Sequence, residues 1–213
     1  KLTLFWHGHL TSSNAGVYMS SAMIRQNQLF RRHAAGNVEE LILAVSKDPA
    51  MLRYLNNNAN VKGRPNENYA RELMELFTLG EGNYSEDDIK QAARALTGWT
   101  FTSDGAFYFR RNMHDDGEKT FLGETGDFDG TDIIEIIIRQ RQHASFICTE
   151  LFKFFVHDEP TDDQLKAMVW TYRVGGNHLR PVLRQLFLSK AFYSERAIAT
   201  RVKSPVEYIV STW

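Results

Sequence analysis

The stretch Pro65–Trp99 carries two helices with clear punctuation, and any fold of this chain has to accommodate them side by side. The first is predicted over Asn66–Leu79: Pro65 and Asn66 open it, and Gly80 stands where a chain commonly leaves a helix in the left-handed conformation. At about 100° per residue, Tyr69, Leu73, Leu76 and Phe77 share one face, and Asn68, Glu72 and Glu75 form a polar stripe on its flank. Glu67, Arg71, Met74 and Thr78 fall on the far side. Because the stripe borders the buried face, its carboxylates are expected to be partly desolvated. Two like charges three residues apart then repel unless a cation stands between them, and Arg, His or a metal ion would serve.

The second helix starts at Ser85, with Asp88 completing a capping box. Ile89, Ala93 and Leu96 give its apolar stripe, and Ala92 and Ala93 permit close packing. Arg94 is the expected internal partner of Glu72 or Glu75. An Arg–Glu brace that includes Asn68 and Arg71 is the structural reading of the polar stripe.

Around this pair the pattern is helical. Ala15–His33 reads as one long helix closing at Gly36, Asn37 with Glu40 caps the next, and Asp48–Pro49 opens a short one through Met51, Leu52 and Leu55. Asn56–Arg64 reads as a solvated loop. After Trp99 the period changes to two: Thr100–Thr102 and Ala106–Arg110, separated by Ser103-Asp104-Gly105, predict a β-hairpin whose aromatic face rests on the helices. Asn112–Gly130 is predicted as a long inserted loop. Thr131 then caps an isoleucine-rich helix, His143–His157 comes next as a core helix, Thr161 with Gln164 caps another, and Asn177 and Ser204–Pro205 open the last two. The fold class is therefore mainly α: a single multi-helix domain over 1–213 with a small hairpin and loop insertion at about 100–130.

Bulk properties exclude several function classes. Lys and Arg number 25 against 26 acidic residues, so no global field draws nucleic acid or a membrane surface. No apolar run approaches the about 20 residues of a transmembrane helix, so this fragment has no transmembrane segment. Cys148 is the single cysteine, which rules out an intrachain disulfide and a multi-cysteine zinc site; its apolar helical setting predicts a buried, inert thiol. Phosphate-loop, dinucleotide, H-E-x-x-H and G-x-S-x-G patterns are absent.

The remaining candidates form one constellation. His7 and His9, Glu72 and Glu75, and His114 with Asp115 are suitable ligands for a divalent metal such as zinc, manganese or iron, and a site with open coordination activates water. Glu72, Glu75 and His114 are the candidate catalytic groups, able to act as general acid and base with or without metal. His7 and His9 face the same way only if their segment is extended; on a helix they diverge by about 200°.

The run N-E-N-Y-A-R-E-L-M-E-L-F-T-L-G, with A-R-A-L-T-G-W after it, resembles the signature of a large bacterial family called "domain of unknown function", number 1800. F-W-H-G-H at Phe5–His9, D-P-A-M-L-R-Y-L at Asp48–Leu55, H-D-D-G-E-K-T-F-L-G at His114–Gly123 and K-S-P-V-E-Y at Lys203–Tyr208 extend the resemblance over the chain. The family commonly has a histidine where this chain has Phe77. The resemblance implies flanking sequence at both ends and export of many members, so the chain reads as an internal fragment. The resemblance leaves activity open, and two functions are expected: an interaction or assembly domain of an exported system, with another exported bacterial protein as partner and a structural His/Glu/Arg network, or a metal-dependent hydrolase-like enzyme using the His/Glu constellation. The enzyme requires the histidines and glutamates to converge beside an open pocket, whereas the scaffold requires Arg94 on the glutamates and the histidines apart.

Overall fold

The computed structural model describes residues 1–157, 159–198 and 202–211. The protein is mainly helical, with two small antiparallel hairpins. The N-terminal part runs α1 (Leu2–His9), α2 (Asn14–Val17), α3 (Ser20–His33), α4 (Val38–Ser46) and α5 (Pro49–Tyr54). The long helix expected from Ala15 to His33 is broken, because Tyr18 takes a left-handed conformation at φ 53° and lets α3 start afresh at Ser20. Local caps fall where side-chain chemistry places them: Asn37 accepts from Glu40 N, and Asp48 accepts from Met51 N with Pro49 in the first turn.

The central pair comprises α6 (Asn68–Glu72), a wide π-helical turn (Leu73–Thr78) and α7 (Glu86–Ala95). Gly80 leaves the turn at φ 79°, as its position predicts, and Ser85 with Asp88 forms the reciprocal capping box. The π turn corrects the expected face. Leu79 N donates to Met74 O, one residue beyond the α spacing, and the extra residue rotates the rest of the turn about the helix axis. Met74 and Thr78 are buried while Leu76 is 52% exposed.

Asn56–Arg64 is not a plain solvated loop. Asn57 and Asn60 are buried and serve as brackets: Asn60 Nδ2 donates to Ala93 O at 2.8 Å, its Oδ1 accepts from Asn66 N at 2.9 Å, and Asn57 Nδ2 donates to Leu96 O at 3.3 Å. Side-chain amides satisfy the carbonyls at the end of α7, where the helix has no further N–H to offer.

The expected hairpin forms as β1 (Trp99–Phe101) and β2 (Phe107–Phe109), with Thr100 opposite Tyr108 and Trp99 edge-to-face with Phe107 at 5.4 Å. The predicted long loop contains a second hairpin, β3 (Lys119–Phe121) and β4 (Glu124–Gly126), turning through Leu122 and Gly123 at positive φ. Its short strands hold only one fully buried ring, Phe121, which explains why no period-two apolar run announces it.

The C-terminal part is α8 (Gly130–Arg139), α9 (Arg141–Phe155), α10 (Asp162–Val174), α11 (Leu179–Phe187) and α12 (Pro205–Ser211). Asp129, not Thr131, caps α8, in a capping box with Asp132. His178, not Asn177, is the N-cap of α11, Asn177 being left-handed at φ 63°. Thr161 caps α10 as expected. One core cluster runs from Phe5 and Trp6 through Leu73, Trp99 and the isoleucines of α8 to Leu186.

Gly98 joins these layers at φ 82°: its N donates to Asn60 O at 2.9 Å, its O accepts from Arg110 N at 2.8 Å, and a Cβ would lie 2.6 Å from Arg110 O. Gly123 shares the backbone conformation at φ 85° but a Cβ there meets nothing within 4 Å. Gly98→Ala is expected to cost about 2–4 kcal/mol and Gly123→Ala about 1 kcal/mol, read from urea unfolding of both variants.

Candidate functional site

An open cleft of about 910 Å³ lies between α1, α5, the π turn and α9. Phe5, Tyr54, Phe77 and Phe154 supply aromatic wall, and His9, Glu72, Glu150 and Lys153 supply its titratable groups. Its shape derives from the π turn. The turn leaves the carbonyls of Phe77 and Thr78 outside the regular ladder, and both are met by imidazoles. His9 Nε2–H donates to Phe77 O at 2.9 Å, and His143 Nδ1–H donates to Thr78 O at 3.2 Å.

These bonds fix tautomers. His143 Nε2 must accept, and Tyr172 Oη donates to it at 2.9 Å, so the ring is a buried neutral relay between the π turn and α10. Burial, with Arg173 nearby, lowers its pKa to about 3, and burial raises that of Tyr172. Burial also lowers the pKa of His9, against its bond to Phe77 O and the charge of Glu150. With Nε2 donating, its Nδ1 carries the lone pair, and no group among the described residues pairs with it. The ring stacks on Phe5 with centroids 5.5 Å apart.

Glu72 borders the cleft at the end of α6. Burial raises its pKa, Glu75 adds to the shift, and Arg71 opposes it. The carboxylate has no hydrogen bond or ion pair among the described residues. Its stripe neighbours are engaged elsewhere: Asn68 Nδ2 donates to Leu55 O at 3.2 Å, and Glu75 accepts from Tyr84 Oη at 3.0 Å. Arg71 forks onto Glu86, both Nη atoms at 2.8 Å, and lies 3.5 Å from Glu67.

Arg94 does not reach Glu72 or Glu75 as the helix spacing suggests. It holds Asp115 through Nε at 2.8 Å and Nη2 at 3.2 Å, and Nη1 donates to Gln91 Oε1 and Glu118 O. The second hairpin reaches the same cluster: the side chain of Lys119 is fully buried and its Nζ donates to Gly117 O at 2.9 Å. His114, also buried, donates from Nδ1 to Thr97 O at 3.0 Å, and Thr97 Oγ1 accepts from Asp115 N at 2.8 Å. His7 stands on the other side of α1, where Nε2 accepts from Asn27 Nδ2 at 2.8 Å.

The constellation read from the sequence is thus divided. His9 and Glu72 share the cleft, whereas His7, Glu75, and the pair His114 and Asp115 occupy separate settings with their own partners. The helical form of α1 is the reason the two histidines of H-x-H diverge. Among the described residues no group of three or more His, Cys, Asp or Glu is placed to hold a metal ion. Cys148 is buried, with its thiol pushed up to about 12 by burial.

Glu150, Lys153 and His143 belong to the cleft and its frame but do not stand out in the sequence, because they interrupt a helix whose apolar residues dominate its pattern. The i, i+3 spacing of Glu150 and Lys153 is the available signal; their side chains lie 3.6 Å apart.

The Arg94 guanidinium holds the Asp115 carboxyl at about 2, against an ordinary 3.8, with the Gly117 N–H assisting. A depressed carboxyl stabilises the fold fully above its unfolded pKa and loses that contribution as pH falls through the folded one. Asp115→Asn is expected to lose about 2 kcal/mol at neutral pH. The gap to wild type should close between pH 3.8 and about 2, as monitored by unfolding at stepped pH.

Comparison with curated proteins and with solved structures finds no match. The family described as "Protein of unknown function (DUF1800)" matches residues 1–213, the whole chain. The match takes in the central helix pair, α1 and the Asp115 segment along with the rest of the chain, and the chain belongs to this family.

Proposed function

We propose that the chain is an interaction domain that receives part of a partner in the cleft between α1, the π turn and α9, a turn held by the imidazoles of His9 and His143. The observation that carries this reading is the dispersal of the candidate catalytic and metal-binding groups. His7, Glu75, His114 and Asp115 each bind an internal partner away from the cleft, and what remains beside it is a mixed aromatic and polar wall in which Glu72 has no ion pair among the described residues. Large concave sites of this kind are the usual seats of bound groups. Trp170 and Val174, one turn apart on α10, are both 67% exposed and add apolar surface of the sort partners cover. On the family resemblance the partner is another exported bacterial protein.

Gly8 supplies the test. It lies on α1 at the cleft, is exposed, and a Cβ there meets nothing within 4 Å, so Gly8→Trp fills the mouth at no cost to the helix. A photo-crosslinking residue at Thr11, on the cleft wall, is expected to trap a discrete partner from the full-length protein in its host, and Gly8→Trp should suppress the adduct. The same residue at the exposed Tyr108 of the hairpin serves as control. Equal adducts from both positions, or none, would overturn the reading.

The metal-dependent hydrolase is the second reading, and its support is that His9 and Glu72 share the cleft. It expects near-stoichiometric zinc, manganese or iron in the full-length protein purified without added metal or chelator, lost in His9→Ala, as measured by elemental analysis. A metal-free wild-type protein would remove it.

A further inference from the structure

The charges around the cleft do not balance. Glu72 and Glu150 face it, and the one lysine of its wall, Lys153, lies 3.6 Å from Glu150 and 3.1 Å from Glu159. Arg71, the nearest cation in sequence to Glu72, forks onto Glu86 instead. Glu72 is therefore a half-buried carboxylate without an ion pair among the described residues, in a cleft lined also by the exposed Leu76, the partly exposed Tyr54 and Phe154, and the buried Phe5 and Phe77.

A desolvated carboxylate favours a cation, and the surrounding groups decide its kind. A metal ion needs several ligands in one place, and no such group stands here among the described residues. An organic cation needs one carboxylate, aromatic surface for its charge and apolar wall for its stem; Glu72, the partly exposed Tyr54 and Phe154, and the exposed Leu76 supply them. A planar guanidinium fits best, because it takes a carboxylate through two parallel N–H bonds and stacks on aromatic faces. A cleft of about 910 Å³ exceeds one side chain and has room for its flanking residues.

We infer that the cleft takes an arginine side chain, flanked by apolar residues, from a partner polypeptide, with Glu72 as its counter-ion. This rests on the interaction-domain reading and gives that site its ligand chemistry. Glu72 is the group that selects charge; the aromatic wall selects the stem and neighbours.

The test uses the full-length protein and two probes, the peptide Ac-Phe-Arg-Leu-NH2 and its citrulline twin, which keeps the shape and removes the charge. Isothermal titration is run on wild type, Glu72→Gln and Gly8→Trp. The expected result is at least tenfold tighter binding of the arginine peptide by wild type, a preference abolished in Glu72→Gln, and loss of both peptides in Gly8→Trp. Because the Glu72 carboxylate bonds to nothing among the described residues, Glu72→Gln should unfold at the wild-type temperature or above, so lost preference reports the charge itself. Equal affinity for the two peptides, or a preference that survives Glu72→Gln, would overturn the assignment while leaving a cleft that binds. Absence of binding by either peptide would overturn it too, and the crosslinking outcome at Thr11 would then decide the interaction reading separately.

Discussion

Two carbonyls, those of Phe77 and Thr78, set the terms for the middle of this molecule. A π turn is wider than an α turn and leaves backbone groups that must find partners elsewhere if they are buried. Here the partners are imidazoles from α1 and α9, and Tyr172 of α10 completes the second bond. Three separate helices are joined through one irregular turn. The second bond chain needs a neutral ring, since His143 donates with one nitrogen and accepts with the other, and its burial favours that state.

The turn also separates braced side chains from an unbraced one. On one side, Arg94, Asp115, Thr97 and His114 lock α7 to the segment before the second hairpin, with every nitrogen of the guanidinium in use. On the other, the same helix pair presents Glu72 with none of this support. Buried polar groups in native folds are ordinarily paired, and the half-buried Glu72 departs from that pattern at the edge of the cleft. The basic residue that could have neutralised it, Arg71, points across the helix pair to Glu86, and the contrast between the two neighbours gives the cleft its sign.

How much of this is legible in the sequence depends on range. The caps at Asn37, Asp48, Ser85 and Thr161 and the left-handed exit at Gly80 are set by residues within four positions of each other, the first hairpin by a short alternating run, and the structure keeps them all. The π turn is not legible, because Leu73–Thr78 has an ordinary helical composition and the extra residue answers to distant histidines. Regular helix geometry therefore places Leu76 on the buried face, and Met74 and Thr78 on the far side, against what the fold does. Asn57 and Asn60 look like loop residues until α7 offers them its terminal carbonyls. Of the candidate site, His9 and Glu72 both line the cleft. Arg94 takes a carboxylate that helix spacing does not point to, since spacing says which face a side chain takes and nothing about the segment that packs over it.

Cys148 has a consequence for anyone handling the protein. It is the only sulfhydryl in the sequence and is enclosed at 0% exposure in α9, with its ionisation suppressed. Toward thiol-directed reagents the native chain behaves as though it had no cysteine at all. Any cysteine placed on its surface becomes a unique handle for a dye, a spin label or a tether without first removing the native one, and unmasking of Cys148 itself reports directly on opening of the helical core.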